Sequence, residues 1–201
     1  MIVIIDYGVG NIGSIVSMLN KIGVESVVSS SVIDIQNASK LILPGVGAFD
    51  KAMSELNNRG IIQSLCKAVI GDKKPILGIC LGAQILGNSS EEGKMAGLKW
   101  IDMDVKRFSN TSFRVPHMGW NFVKPIRNSI LFDASDVQEQ RFYFVHSFYM
   151  SCKCREDILA ISSYGDDFVC AVNRENIYGV QFHPEKSHKF GFNLLKRFVY
   201  A

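Results

Sequence analysis

Short apolar runs that alternate with helix-patterned segments through the first half of the chain restrict its fold more than any other feature. Ile2–Asp6 reads as a continuous strand, followed by Gly8, Gly10 and a helix from about Asn11 to Ile22 that stops at Gly23. Val24–Ser29 and Lys40–Leu43 read as the next strands, the latter closed by Pro44-Gly45-Val46-Gly47. Helical patterns cover roughly Phe49–Asn58 and Ile61–Ile70, and Pro75–Ile79 is a fourth strand running into a helix after Cys80. Strands that are apolar throughout, with helices between them, indicate a parallel sheet covered on both faces.

From about Trp100 the pattern changes. Val105–Phe108, Phe113–Val115, Arg141–Ser147, Ile158–Ser163, Phe168–Asn173 and Ile177–Phe182 are strand-like and follow one another closely. Tyr164–Asp167 and Asn173–Asn176 read as hairpin connections, and a last helix covers about Lys189–Tyr200. There is no repeat, low-complexity segment or linker. The expectation is a single α/β domain over residues 1–201, with a doubly wound, mostly parallel central sheet flanked by helices and antiparallel strands in its C-terminal half.

Composition narrows the function. The chain has 201 residues, enough for a sizeable core, and 47% are hydrophobic, too many for a disordered protein. A net charge of +3, with basic residues scattered, leaves no nucleic-acid footprint. No apolar run reaches the ~18–20 residues of a membrane span, and the N-terminus lacks a signal peptide's basic start. Five cysteines without framework spacing suggest reduced thiols in the cytoplasm. Cys152-Lys153-Cys154 has no second pair to complete a metal site, so packing is the expectation and neither metal nor cofactor is expected.

Gly78-Ile79-Cys80-Leu81-Gly82 has the form G-x-C-x-G, a thiol version of the nucleophile elbow. A strand turning sharply into a helix strains the backbone at the nucleophile. The residues two before and two after it must then lack a Cβ. The turn places the sulfur at the positive end of a helix, which favours thiolate, and presents the following amide, that of Leu81, to a developing oxyanion. The plainer reading is a buried cysteine in a glycine-rich turn.

A nucleophilic cysteine needs a base, and the base an orienting partner. His183 ends an apolar strand, and Glu185 follows across a proline that stiffens the link. Alone, such a pair is more often a surface ion pair; beside the elbow, Cys80, His183 and Glu185 become the leading constellation. The glycines of Pro44–Gly47 allow a second peptide to approach a ligand or to flip.

These segments together resemble the class I (triad) glutamine amidotransferases, whose signatures are PGVGAF, GICLGAQ and GVQFHPE. SSEEG (89–93), PHMGWN (116–121), YFVHSF (143–148) and QFHPEKS (181–187) narrow the resemblance to glutaminase subunits of imidazole glycerol phosphate synthases. The resemblance implies that Cys80 attacks the glutamine carboxamide, with His183 moving the proton and Glu185 orienting it. Amides of Val46, Gly47 and Leu81 would hold the oxyanion, while Gly47, Gln84, His146, Ser147 and Phe148 would line the glutamine pocket. Phe148 stands where the family more often has tyrosine, so a hydroxyl contact is lost there.

It further implies a (β/α)8-barrel cyclase as heterodimeric partner, receiving ammonia and making imidazole glycerol phosphate and aminoimidazole carboxamide ribonucleotide. Trp120, Tyr143 and Lys186 fall on family interface positions, although an aromatic residue in a strand is more often core. Ala83, where methionine is usual, and the segment Gly97–Asp102 depart from the pattern. Together with QFHPEKSHKFG (181–191), that segment is also similar to paralogues that feed ammonia to surface-sugar enzymes. Less favoured are a stand-alone cysteine amidase or peptidase and a catalytically silent binding subunit.

Overall fold

The computed structural model describes residues 1–109, 113–135 and 139–201. In chain order the first half runs β1 (Ile2–Ile5), α1 (Ile12–Ile22), β2 (Ser26–Ser29), α2 (Val32–Asn37), β3 (Lys40–Gly45), α3 (Phe49–Asn58), α4 (Ile62–Cys66), β4 (Ile76–Cys80) and α5 (Leu81–Gln84). The second half runs β5 (Ser89–Ser90), β6 (Met103–Arg107), β7 (His117–Pro125), β8 (Gln140–His146), β9 (Phe148–Cys152), β10 (Ile158–Tyr164), β11 (Asp166–Arg174), β12 (Ile177–Val180) and α6 (His188–Tyr200).

Among the described residues these strands form one mixed sheet, in the order β2-β1-β3-β4-β12-β11-β10-β7-β8. The first five are parallel and the rest antiparallel; β5, β6 and β9 branch off through the β9–β11 pairing. Alternation along the central strands divides the core in two. Val3, Ile5, Leu41 and Leu43 pack toward α2, α3 and α4, while Ile2, Ile4, Ile42, Leu77 and Ile79 pack toward α1 and α6. Both faces are dry, which is why these strands read as unbroken apolar runs.

Several elements differ from the sequence reading. Phe113–Val115 is not a strand. Pro116 has no N–H to give a ladder, and pairing with β8 begins one residue later, at His117↔His146. The helix expected over Ile61–Ile70 is α4 followed by a π-turn at Lys67–Gly71. The helix after Cys80 is a single turn. Strand β7 escaped because its pattern is inverted. His117 and Val123 point inward and Asn121 is partly buried, whereas Met118, Trp120 and Phe122 are 61%, 46% and 47% exposed.

Candidate active site

Strand β4 delivers Cys80 to its carboxyl end, where the residue takes φ 54° and ψ −114°. That conformation costs a side chain on the order of 1–3 kcal/mol and persists only where the surroundings enforce it. Here they do. A Cβ on Gly78 would sit 2.6 Å from the Gly82 carbonyl oxygen, and one on Gly82 would run into the Leu43 carbonyl. The elbow closes only with glycine at both places. Because α5 spans four residues, its dipole gives the sulfur little support, and the polar neighbours of Cys80 come to the fore.

The foremost neighbour is His183. Its Nδ1–H donates to Glu185 Oε1 at 2.8 Å, which leaves Nε2 as the atom available to Cys80. Nε2 is buried and has no nitrogen or oxygen partner. Burial pulls the His183 pKa down, but hydrogen bonds and charges from Cys80 and Glu185 overcome it and raise the value to about 10. The imidazolium is therefore the resting form near neutrality. Asn11 Nδ2 makes a longer contact with the same Glu185 oxygen, at 3.5 Å. The turn carrying the pair is stitched to β8: His183 N–H donates to the Tyr143 carbonyl at 2.9 Å, and Tyr143 N–H to Ser187 Oγ at 3.0 Å. Ser187 Oγ then closes back on the His183 carbonyl at 2.6 Å.

Cys80 and His183 open onto a cavity of about 320 Å³. Val46, Gly47, Leu81, Gln84, His146, Ser147 and Phe148 all line it, so the structure gathers the residues expected around glutamine. Lys186 reaches its rim, and Glu185 lies behind His183, outside the cavity. Trp120 and Tyr143 stand apart on the β7–β8 face, edge to face at 6.3 Å, with the Lys186 ammonium 5.9 Å from the Tyr143 ring. Trp120 also stacks on His188 at 5.5 Å, and its exposure overturns the core reading.

The other two buried histidines, His117 and His146, are neutral. Burial pushes His117 down to about 4, and pushes His146 down to about 3 against an opposing hydrogen bond to the Phe148 carbonyl. His146 Nδ1 meets that carbonyl at 2.7 Å and must donate, so His146 Nε2 accepts from His117 Nδ1 at 2.9 Å. His117 Nε2 then accepts from Asn121 Nδ2 at 3.2 Å.

Sequence reasoning missed five residues here: Glu92, Pro116 and Val145, which line the cavity, Gln181, and Asn11. Glu92 and Pro116 lay inside the SSEEG and PHMGWN stretches, but nothing in their spacing tied them to Cys80. Glu92 Oε2 accepts the Phe49 N–H at 2.8 Å and so caps α3 at the cavity wall.

A thiol elbow facing a His–Glu pair across an amino-acid-sized cavity, on a mixed α/β sheet, is an amidotransferase arrangement, and the sequence agrees. The family model "Glutamine amidotransferase class-I" matches residues 3–201, and the chain belongs to that family. Within it, the chain is 54% identical to a Pseudomonas aeruginosa protein named imidazole glycerol phosphate synthase subunit HisH 2, over 99% of this chain and 98% of that one. It is 49% identical to the Methanococcus maripaludis protein of the same name, over 99% and 98%. The fold matches a glutamine amidotransferase crystal structure with a TM-score of 0.76 at 18% identity, covering 98% of this chain and 96% of that one. It also matches PurLQS from Thermotoga maritima with a TM-score of 0.77 at 16% identity, over 98% and 96%.

Proposed function

We propose that this chain, a single amidotransferase domain over residues 1–201, is the glutaminase subunit of an imidazole glycerol phosphate synthase. The observation that carries the chemistry is Cys80 facing a His183 imidazole that is buried, charged and fixed by Glu185. The names of the relatives at 54% and 49% identity support the acceptor.

The Cys80 thiolate adds to the carboxamide carbon of glutamine, and the oxyanion takes hydrogen bonds from amides of the Val46-Gly47 segment and Leu81. His183 gives its proton to the leaving nitrogen, ammonia departs and a thioester remains. Neutral His183 then takes a proton from water, whose oxygen adds to the thioester. Collapse breaks the C–S bond and returns the electron pair to sulfur. The released acid loses its proton to solvent as glutamate, and the thiolate–imidazolium pair is restored. Gln84, His146, Ser147 and Phe148 hold the substrate.

The partner is a (β/α)8-barrel cyclase that receives the ammonia. The exposed Met118, Trp120 and Phe122 of β7, with Tyr143 and Lys186 beside them, supply an aromatic face of the kind interfaces use. Reactions of this kind place the pair in histidine biosynthesis and in the cytoplasm. Among the described residues no helix is long and apolar enough to cross a membrane.

The test combines complementation with reconstitution. The gene is expected to restore growth of a histidine auxotroph lacking this subunit. With the barrel partner, Cys80→Ala is expected to abolish synthesis from glutamine and keep synthesis from ammonium salts. Retained glutaminase activity without complementation would move the acceptor to the surface-sugar enzymes, and loss of the ammonium-dependent reaction would overturn the division of labour.

A further inference from the structure

One buried side chain that touches the nucleophile takes no part in the steps derived above. Strands β4 and β12 run parallel with Val180 paired to Ile79, so the next residue along β12, Gln181, comes alongside Cys80. Gln181 is 0% exposed, lies outside the lining of the cavity, and places its Nε2 3.8 Å from the Cys80 sulfur.

Which end of that amide faces the sulfur is decided by neighbours whose polarity cannot change. The Phe148 carbonyl is an acceptor and nothing else, and Gln84 places its amide end 3.2 Å from it, so that end must be the NH2 group. The same Gln84 nitrogen lies 3.0 Å from the inner end of Gln181, which must therefore be the carbonyl oxygen. The NH2 end of Gln181 is left pointing at Cys80. Reversing it would set two NH2 groups against each other in a dry core, leaving buried donors unpaired.

We propose that Gln181 is a catalytic residue of this glutaminase: its side-chain amide donates a hydrogen bond to the Cys80 sulfur whenever that sulfur carries negative charge. The proposal rests on the glutaminase reading and adds a part to it. His183 is a partner that loses its proton midway through the cycle, whereas the Gln181 N–H is a permanent donor. It serves twice, first on the thiolate before attack. It serves again when the C–S bond of the thioester breaks and the electron pair returns to sulfur while His183 has only just regained a proton from water. A neutral donor suits this position, since a second cation would compete with His183 for the same charge.

The experiment uses the full chain with its barrel partner. Gln181→Met keeps length and apolar volume and removes the donor to Cys80, together with the oxygen that accepts from Gln84. Alkylation of Cys80 by iodoacetamide is followed against pH by mass spectrometry of its peptide, which separates it from the other four cysteines. The midpoint is expected to move up by about one pH unit, the scale of one lost hydrogen bond to a charged group. Glutamine kcat is expected to fall about tenfold, and any rise in KM reports the partner that Gln84 loses. An unmoved alkylation midpoint in a folded variant would overturn the proposal.

Should Gln181→Met not fold, the native chain gives the answer. The assigned 15N side-chain amide of Gln181 is expected to shift as Cys80 deprotonates and to stop shifting in Cys80→Ala. A resonance indifferent to both would overturn the proposal as well. A wild-type complex without glutaminase activity would instead overturn the parent reading, so the two failures are distinct.

Discussion

The backbone of Gly82 passes directly against the Leu43 carbonyl, with no room for a Cβ between α5 and β3. Leu43 precedes Pro44 at the head of the glycine-bearing loop, so one contact sets the nucleophile turn against the segment expected to form the oxyanion site. A methyl group there must push one of them away.

Gly82→Ala is therefore expected to destabilise the chain by several kcal/mol, at or beyond the 1–3 kcal/mol range of ordinary overpacking. Gly13→Ala serves as the opposite case. Its position in α1 has nothing within 4 Å, and the change should add roughly 0.5–1 kcal/mol of helix stability. Thermal denaturation of the two variants beside wild type checks both signs.

Glu185→Gln keeps a carbonyl oxygen for the Nδ1–H of His183 and removes the charge. The His183 pKa, now raised to about 10, is expected to fall, and glutamine turnover to drop by roughly 10²-fold, the lower end of general acid–base contributions. NMR titration of the imidazole, with kcat measured in the partner complex, tests this. An unchanged titration would show that Cys80 alone holds the proton.

Acid stability should depend on the buried histidine pair. His117 and His146 are held down to about 4 and about 3, whereas unfolded histidine titrates near 6.5. Between those values the unfolded chain binds protons that the folded one refuses. Stability from this source is thus complete above pH 6.5 and is lost as pH falls through 4 and then 3. His183, raised instead, is charged in both states over that window, and its own contribution is lost only as pH climbs toward 10. His117→Asn is expected to flatten the fall of Tm between pH 6.5 and 4, and equal slopes in variant and wild type would contradict this.

The parts of the fold legible in the sequence were those where burial and pattern agree. Strands β1, β3 and β4 are covered on both faces, and the glycines flanking Cys80 answer to contacts a Cβ cannot share. Strand β7 was illegible for the opposite reason: it turns His117 and Asn121 inward and three large apolar side chains outward, so its alternation reads backward. Helix α2 has one buried residue, Ile35, too few to mark a period. In the site, Cys80, His183 and Glu185 announced themselves through local motifs. Gln181 and Asn11 did not, because what brings them in is strand register and a contact spanning 174 positions.

The stitching of the His183 turn to β8 has a mechanical consequence. The proton carrier hangs by its own peptide N–H from the carbonyl of Tyr143, a residue whose ring belongs to the outer aromatic face. Whatever settles on that face presses on a lever one peptide long, with the imidazole at its other end.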